Sequence, residues 1–323
     1  MKIEMKKYSI GIDIGGTNTG FGLVDNEGKI IESLSISTKD YFDYEIYLNE
    51  VTKNILHLIE KCPNKDLIQG IGIGAPNGNY YNGTIEHAPN LNFRGIVPVK
   101  EYIESRLIEK GFPLKVTLTN DANAAAIGEM IYGGAKNVKN FLMITLGTGV
   151  GSGIVVDGKV VYGHDGFAGE VGHTIVQPEG RLCGCGRRGC VETYSSVTGI
   201  KKTALELIRE TVTNSTLRSL PEETIGGKAI FEAASQGDEL AIKCFDITAK
   251  MLAIGMANAV AITSPEKIFL FGGLTKAGDL LMIPLKKYFE ESLFVVFKNK
   301  IELKLSDLDE NNAAILGAAA LPF

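Results

Sequence analysis

The chain of 323 residues is 45% hydrophobic and 22% charged, too apolar for a disordered chain and too charged for a membrane-spanning bundle. Lys and Arg number 33 against 38 Asp and Glu, a net charge of −5, so no excess of positive charge is available for a nucleic-acid backbone or an anionic membrane. The length predicts two domains with a core large enough to need no disulfide.

Met1 to Lys7 is basic, but the apolar run after it is broken by Asp13 and glycines and does not read as a signal peptide. Met251 to Thr263 falls short of the roughly 20 residues of a bilayer span. A soluble, cytoplasmic protein with no nucleic-acid or membrane partner is expected. In chain order, Ile10 to Ile14 predicts a strand running into the turn Gly15-Gly16-Thr17, and Gly20 to Val24 and Lys29 to Ile36 predict two more, joined at Asp25 to Gly28. Ile46, Leu48, Val51, Ile55, Leu58 and Ile59 have helical spacing. Ile68 to Gly74 and Val116 to Thr119 read as strands, and the alanine-rich stretch from Asn120 to Tyr132 as a helix with Asn120 or Asp121 near its N-terminus.

The opening order then returns about 130 residues later, the mark of a duplicated unit. Phe141 to Thr145 is a strand, Gly147-Thr148-Gly149 a turn, Gly151 to Val156 a strand, Asp157-Gly158 a hairpin turn and Lys159 to Tyr162 another strand. Leu240 to Ala261 predicts a long helix stopped by Pro265, Ile268 to Phe271 a strand entering Gly272-Gly273, and Asn311 to Leu321 a closing helix. Strands alternating with helices make the class α/β, in two lobes built on duplicated β-sheet units with a cleft between them. Chain crossings near residue 120 and at the closing helix are the expected hinge.

The two glycine-threonine turns carry the first chemistry. Without Cβ bulk, several N–H groups can converge on one anion, and the threonine adds a hydroxyl donor. Asp13, Gly15, Gly16, Thr17 and Asn18 form one such group, and Gly147, Thr148 and Gly149 the other; together they suit the β and γ phosphates of a nucleotide, with Asp13 orienting water around magnesium. Two other pattern matches are set aside. Gly184 to Gly189 fits a dinucleotide fingerprint but follows no strand and carries cysteines, and Gly153 to Lys159 reads as strand rather than as a phosphate loop. Asp121 lies among small residues between a strand and a helix, where a carboxylate can accept the proton of an attacking hydroxyl, and Asn120 offers a donor and an acceptor beside it.

His173, Cys183, Cys185 and Cys190 supply three thiolates and an imidazole, a complete tetrahedral zinc shell with no position open for a reactive water, so the zinc is expected to be structural. Glu170 and Glu192 flank this cluster. His173 can present its second ring nitrogen to a ligand. Cys62 and Cys244 are read as packing residues, and His57, His87 and His164 have no partner pattern.

Together the first turn, the Asn120-Asp121 pair, the second turn, Gly169-Glu170-Val171-Gly172-His173 and the block from Cys183 to Glu192 resemble the ROK family of sugar kinases and sugar-responsive repressors, in order along nearly the whole chain. The resemblance implies an actin-like, hexokinase-type ATPase fold, with residues 1–120 and 311–323 as the first lobe and 121–310 as a larger lobe carrying the zinc. It implies ATP with Mg2+ as co-substrate, phosphorylation of a hexose at its 6-hydroxyl with Asp121 as base, and a homodimer or homotetramer. Asn90, Asn120, Asp121, Glu170, His173 and Glu192 are implied to hold the sugar, and Gly272 and Gly273 the adenosine. Asn77 stands where many members have glycine and is expected to touch the sugar. Glucose leads, while N-acetylglucosamine, N-acetylmannosamine, mannose, fructose and allose stay open. Repressors of this family carry a DNA-binding domain before the first lobe; with twelve residues ahead of Asp13, none is expected here.

Overall fold

The opening apolar runs form β1 (Tyr8–Ile14), β2 (Asn18–Asp25) and β3 (Ile30–Ser37), paired antiparallel as a meander. The computed structural model describes residues 7–309 and 312–323. Asp43 caps α1 (Tyr44–Lys61) by accepting the Glu45 and Ile46 N–H groups at 2.7 and 3.1 Å. The buried stripe of α1 is Tyr47, Leu48, Val51, Thr52, Ile55, Leu58 and Ile59. Ile46, expected in it, is 62% exposed. At about 100° per residue it falls opposite the middle of that stripe, and Tyr47 takes its place.

The chain continues through β4 (Ile68–Ala75), the short strands β5 (Gly78–Asn79), β6 (Thr84–Glu86) and β7 (Ile96–Val97), then α2 (Val99–Glu109), β8 (Val116–Asn120) and α3 (Asp121–Ile131). β4 runs parallel to β1, and β8 parallel to β4, giving the order β3-β2-β1-β4-β8; β5, β6 and β7 make a small antiparallel sheet of their own.

The second half repeats this plan. It comprises β9 (Phe141–Leu146), β10 (Val150–Val156), β11 (Lys159–Val160), α4 (Glu192–Ser195), α5 (Val197–Glu210), α6 (Gly227–Ser235), α7 (Glu239–Thr263), β12 (Lys267–Phe271), α8 (Asp279–Ser292) and β13 (Glu302–Leu305). Its sheet has the order β11-β10-β9-β12-β13, with β9 antiparallel to β10 and parallel to β12, and β12 parallel to β13. The order and directions match the first sheet, so the duplication read from the sequence is a duplication of topology. Asp157 and Gly158 join β10 to β11 with φ of 51° and 73°, the left-handed pair of a tight hairpin turn. α7 is long and apolar enough by composition to span a bilayer, yet Leu240, Cys244, Phe245, Leu252, Met256 and Val260 are buried in the core of this half.

By packing, the described residues divide into two units. One runs to Val138 and takes in Val160–Ala168 and the chain from Asp307 onward; the other is Lys139–Lys159 with Gly169–Ser306. The boundary expected after residue 120 therefore moves to 138/139. The reason is α3, which packs against β4 and against the closing helix α9 (Ala313–Ala320), and so belongs with the first sheet. The return expected at 310/311 comes earlier, at 306/307, and Val160–Ala168, expected in the larger lobe, packs with the first unit; the expected helix start at Asn311 lies outside the described residues.

The alanine-rich α9 lies directly on β1 and β4. Gly72 of β4 makes this possible, since a Cβ there would strike the Ala318 carbonyl. The Ser9 hydroxyl donates to the Ala319 carbonyl at 2.6 Å and pins the helix along the sheet. Gly72→Val should therefore cost about 1–3 kcal/mol or more in urea unfolding, by overpacking against backbone that cannot move aside. Gly226→Ala, where a Cβ meets open space but the residue is the N-cap of α6, should cost no more than about 1 kcal/mol, through the cap alone.

Candidate functional site

Because β1, β4 and β8 run parallel, their C-terminal ends share one edge of the first sheet. In register, Asp13 pairs with Gly74 and Gly74 with Thr119, which sets Asp13 and the β8–α3 junction two strands apart, roughly 10 Å. Asn120 is the N-cap of α3, its Oδ1 accepting the Ala122 N–H at 2.9 Å. Asp121 is thus the first helical residue and not the cap, although its own Oδ1 also lies 2.8 Å from the Ala122 nitrogen. It remains solvent-accessible. Desolvation by the surrounding protein nevertheless raises its pKa, against the lowering effect of the Ala122 N–H and of its own. Asp13 is pushed up to about 7, first by desolvation and then by the negative charge of Asp121.

The first turn closes with the Gly15 N–H donating to the Asn18 carbonyl at 3.0 Å, and the Thr17 carbonyl accepts from Thr38. Asn90, 74 positions from Gly16 in sequence, comes to the turn: a Cβ on Gly16 would sit 2.6 Å from the Asn90 carbonyl oxygen. The first unit therefore assembles Asp13, Gly15, Gly16, Thr17, Asn18, Asn90, Asn120 and Asp121 at one sheet edge. Asn77 adopts a left-handed φ of 51°, and its amide donates to the Glu86 carbonyl at 3.0 Å, so its donor holds the β5–β6 segment. That conformation is one glycine adopts without strain, which accounts for either residue at this position.

In the second unit, Thr145 at the end of β9 pairs with Phe271 at the end of β12, so Gly147 and Gly272 also leave a common sheet edge. Gly272 has φ of 109° and lies so close to β9 that a Cβ would come 2.7 Å from the Leu146 carbonyl oxygen. Gly147 donates to the Gly149 carbonyl at 3.0 Å, and the turn is braced by Val197 N–H on the Gly147 carbonyl and the Thr198 hydroxyl on that of Thr148. Glu192 completes it, accepting the Val150 N–H at 3.0 Å through Oε2.

The other Glu192 oxygen lies 3.8 Å from Cys183 Sγ, which joins this turn to the cysteine cluster. His173, Cys183, Cys185 and Cys190 bring their donor atoms within 4.8 Å of one another. Cys185 and Cys190 sulfurs are 3.7 Å apart, and His173 Nδ1 is 3.6 Å from Cys183 Sγ. A tetrahedral shell at zinc bond lengths demands about 3.8 Å for S···S and about 3.6 Å for S···N, so the donor set fits that ion and leaves Nε2 of His173 on its outer side. Burial pushes the Cys190 thiol up to about 12, while hydrogen bonds from Arg187 and the neighbouring thiols outweigh desolvation and bring Cys185 down to about 6.

One supporting residue had no signal in the sequence. Arg181 is largely buried, pairs with Glu206 at 2.5 Å, donates to the Thr193 carbonyl and stacks on Tyr194. Its partners lie 12 to 25 positions away, and no local pattern links them.

The sequence profile of the ROK family matches residues 9–322. The chain belongs to the ROK family. Among its ROK relatives, a glucokinase of Halalkalibacterium halodurans is 36% identical, over 98% of this chain and 94% of its own. A putative xylose repressor of Caldicellulosiruptor is 31% identical, over 97% of this chain and 77% of its own. The crystal structure of a ROK family glucokinase from Streptomyces griseus in complex with glucose and AMPPNP matches with a TM-score of 0.80 at 33% identity, covering 97% of this chain and 98% of that one. The duplicated sheets are those of the actin-like ATPase fold that the ROK resemblance implied.

Asp13 gives a pH-dependent prediction. Its pKa is higher folded than unfolded, so the native state binds the extra proton and stability falls as pH rises from about 4 to about 7. Asp13→Asn should therefore be the more stable protein at pH 8, by up to about 4 kcal/mol, with the gap closing toward pH 4 in paired urea titrations.

Proposed function

We propose that the chain is an ATP-dependent hexose kinase that phosphorylates the 6-hydroxyl of glucose, with Asp121 as general base. The observation that carries this reading is Asp121 itself: an accessible carboxylate of raised pKa at the head of α3, two strands from Asp13 and on the same sheet edge as the first glycine turn. A raised pKa makes it a stronger acceptor for the alcohol proton. The 6-hydroxyl gives its proton to Asp121 as O6 bonds to the γ-phosphorus, and the bond to the β–γ bridging oxygen breaks to leave ADP.

The backbone turns Gly15 to Asn18 and Gly147 to Gly149 hold the polyphosphate, and Gly272 and Gly273 the adenosine. Asn90, Asn120, Glu170, His173 and Glu192 hold the sugar. Asp13 would hold the hydrated magnesium of the nucleotide, which would supply neutralisation of the phosphate charge. His173, Cys183, Cys185 and Cys190 hold a structural zinc, which supplies cross-linking and no chemistry. A cytoplasmic location, where ATP is available, and a homodimer or homotetramer belong to the same reading.

Asp121→Asn should lower kcat by about 10²- to 10⁴-fold while calorimetry finds glucose still bound and near-UV circular dichroism unchanged. In the wild type, kcat/KM should fall on acidification through an apparent pKa above the ordinary aspartate value of 3.8. A hexose panel scored by kcat/KM should place glucose first among glucose, mannose, fructose, allose and the two N-acetyl hexosamines. Phosphorylation of none of these, together with specific binding of a DNA duplex, would move the assignment to the repressors that the 31% relative represents.

Metal analysis should find one zinc per chain. Cys190→Ser should lose it and lower the unfolding temperature, because binding energy at such a site is folding energy; full stability without the metal would remove the structural role.

A further inference from the structure

Ser152 is a buried hydroxyl in the middle of β10, its backbone paired with Ile144 of β9. Its side chain makes two hydrogen bonds to a segment far along the chain. The hydroxyl donates to the Gly169 carbonyl and accepts the Val171 N–H, the latter at 3.1 Å. These two bonds straddle Glu170. The backbone on either side is tightly folded: Gly169 has φ of 97°, Val171 N–H also reaches the Gly169 carbonyl at 2.9 Å, and the single 3₁₀ turn Val171–His173 follows, with His173 N–H on the Glu170 carbonyl at 3.0 Å. Val150, on the same face of β10 two residues earlier, backs the other end of this turn, since its carbonyl occupies the space a Cβ on Gly172 would need.

We infer that Ser152 is a positioning residue for hexose binding: its hydroxyl fixes the direction of Glu170, and with it the turn that ends in His173. The inference rests on the reading above that Glu170 holds the sugar. Nothing apolar of the same size can replace the hydroxyl, because Gly169 offers an acceptor and Val171 a donor, and only a group with both functions serves the two at once. Ser152 touches neither glycine turn through its side chain, so its effect belongs to the sugar and not to the nucleotide.

The test compares Ser152→Ala, Ser152→Thr and Glu170→Gln in the full chain, with KM for glucose, KM for ATP, kcat and unfolding temperature measured for each. Ser152→Ala should raise KM for glucose by about 10- to 100-fold, the loss seen when the partners that orient metal-ligating residues are removed, with KM for ATP within about twofold of wild type, as expected when one substrate's site alone is disturbed. Ser152→Thr keeps the hydroxyl and should restore most of the loss. Glu170→Gln should raise KM for glucose at least as much. An unchanged KM for glucose in Ser152→Ala alongside a raised one in Glu170→Gln would overturn the positioning role and leave the sugar assignment of Glu170 standing. Parallel losses in both KM values and in unfolding temperature would also overturn it, reducing Ser152 to a packing residue. No effect of Glu170→Gln would overturn the sugar assignment, and the inference with it.

Discussion

The first unit depends on one close approach, that of the α9 backbone to the sheet it covers. Where a typical helix stands off by the height of its side chains, here Ala318 meets Gly72 with nothing between them, and a serine hydroxyl on β1 bonds to the helix carbonyl at Ala319. α3 packs against the same helix and against β4. The consequence reaches the site directly. A Cβ on Gly74 would lie 3.6 Å from the Cα of Asp121, so the depth of α3 on the sheet sets how far Asp121 projects beyond the strand ends. Asp13 leaves the same edge through β1. Moving the helices outward by a methyl group would move one acid relative to the other.

The second unit uses the same sheet but stabilises its functional loop by other means. Between the 3₁₀ turn at Val171–His173 and α4, the only pairings among the described residues outside named strands are the bridges Ile175 to Cys190 and Leu182 to Arg188. Such a segment buries few apolar side chains, and its order comes from polar cross-links: the cysteine-histidine donor set, and Arg181 with Glu206, Thr193 and Tyr194. Glu192 transmits that order to the glycine turn by holding the Val150 N–H. A carboxylate that lies against Cys183 on one side and accepts a strand-initiating amide on the other has little freedom left, which suits the sugar-holding role proposed for it.

Electrostatics follow from this placement. Asp121 sits where protein has replaced water yet leaves the carboxylate reachable, and its charge falls on Asp13 as well as on any ligand. An acid in such a position is poorly solvated when charged, the condition that raises its proton affinity. The first unit thus stores unfavourable charge at the strand ends where a polyphosphate with its metal and a sugar alcohol are proposed to bind.

Much of this was legible without coordinates because the informative residues are neighbours in the chain. Glycine and threonine in a turn after an apolar strand, Asn120-Asp121 between strand and helix, and three cysteines within eight positions each state their chemistry locally, and the recurrence of the first turn exposed the duplication. Regions of weak local pattern went unread. α8 contains Pro284, and β5, β6 and β7 are two or three residues long, too short to show periodicity, so that the Asn82-Gly83 turn ahead of β6 stood without flanking strand patterns to read it by. The domain boundary was misplaced because α3 is assigned by what it packs against and not by where it begins. Likewise Asn90 reaches Gly16, Glu192 reaches Val150, and Ser152 holds both sides of Glu170 only after the strands have set their register. The sequence by itself determined which groups are available and in which short turns; the tertiary structure decided which of them meet, because contacts across tens of residues are set by strand pairing and helix depth, which leave no periodic trace in the chain.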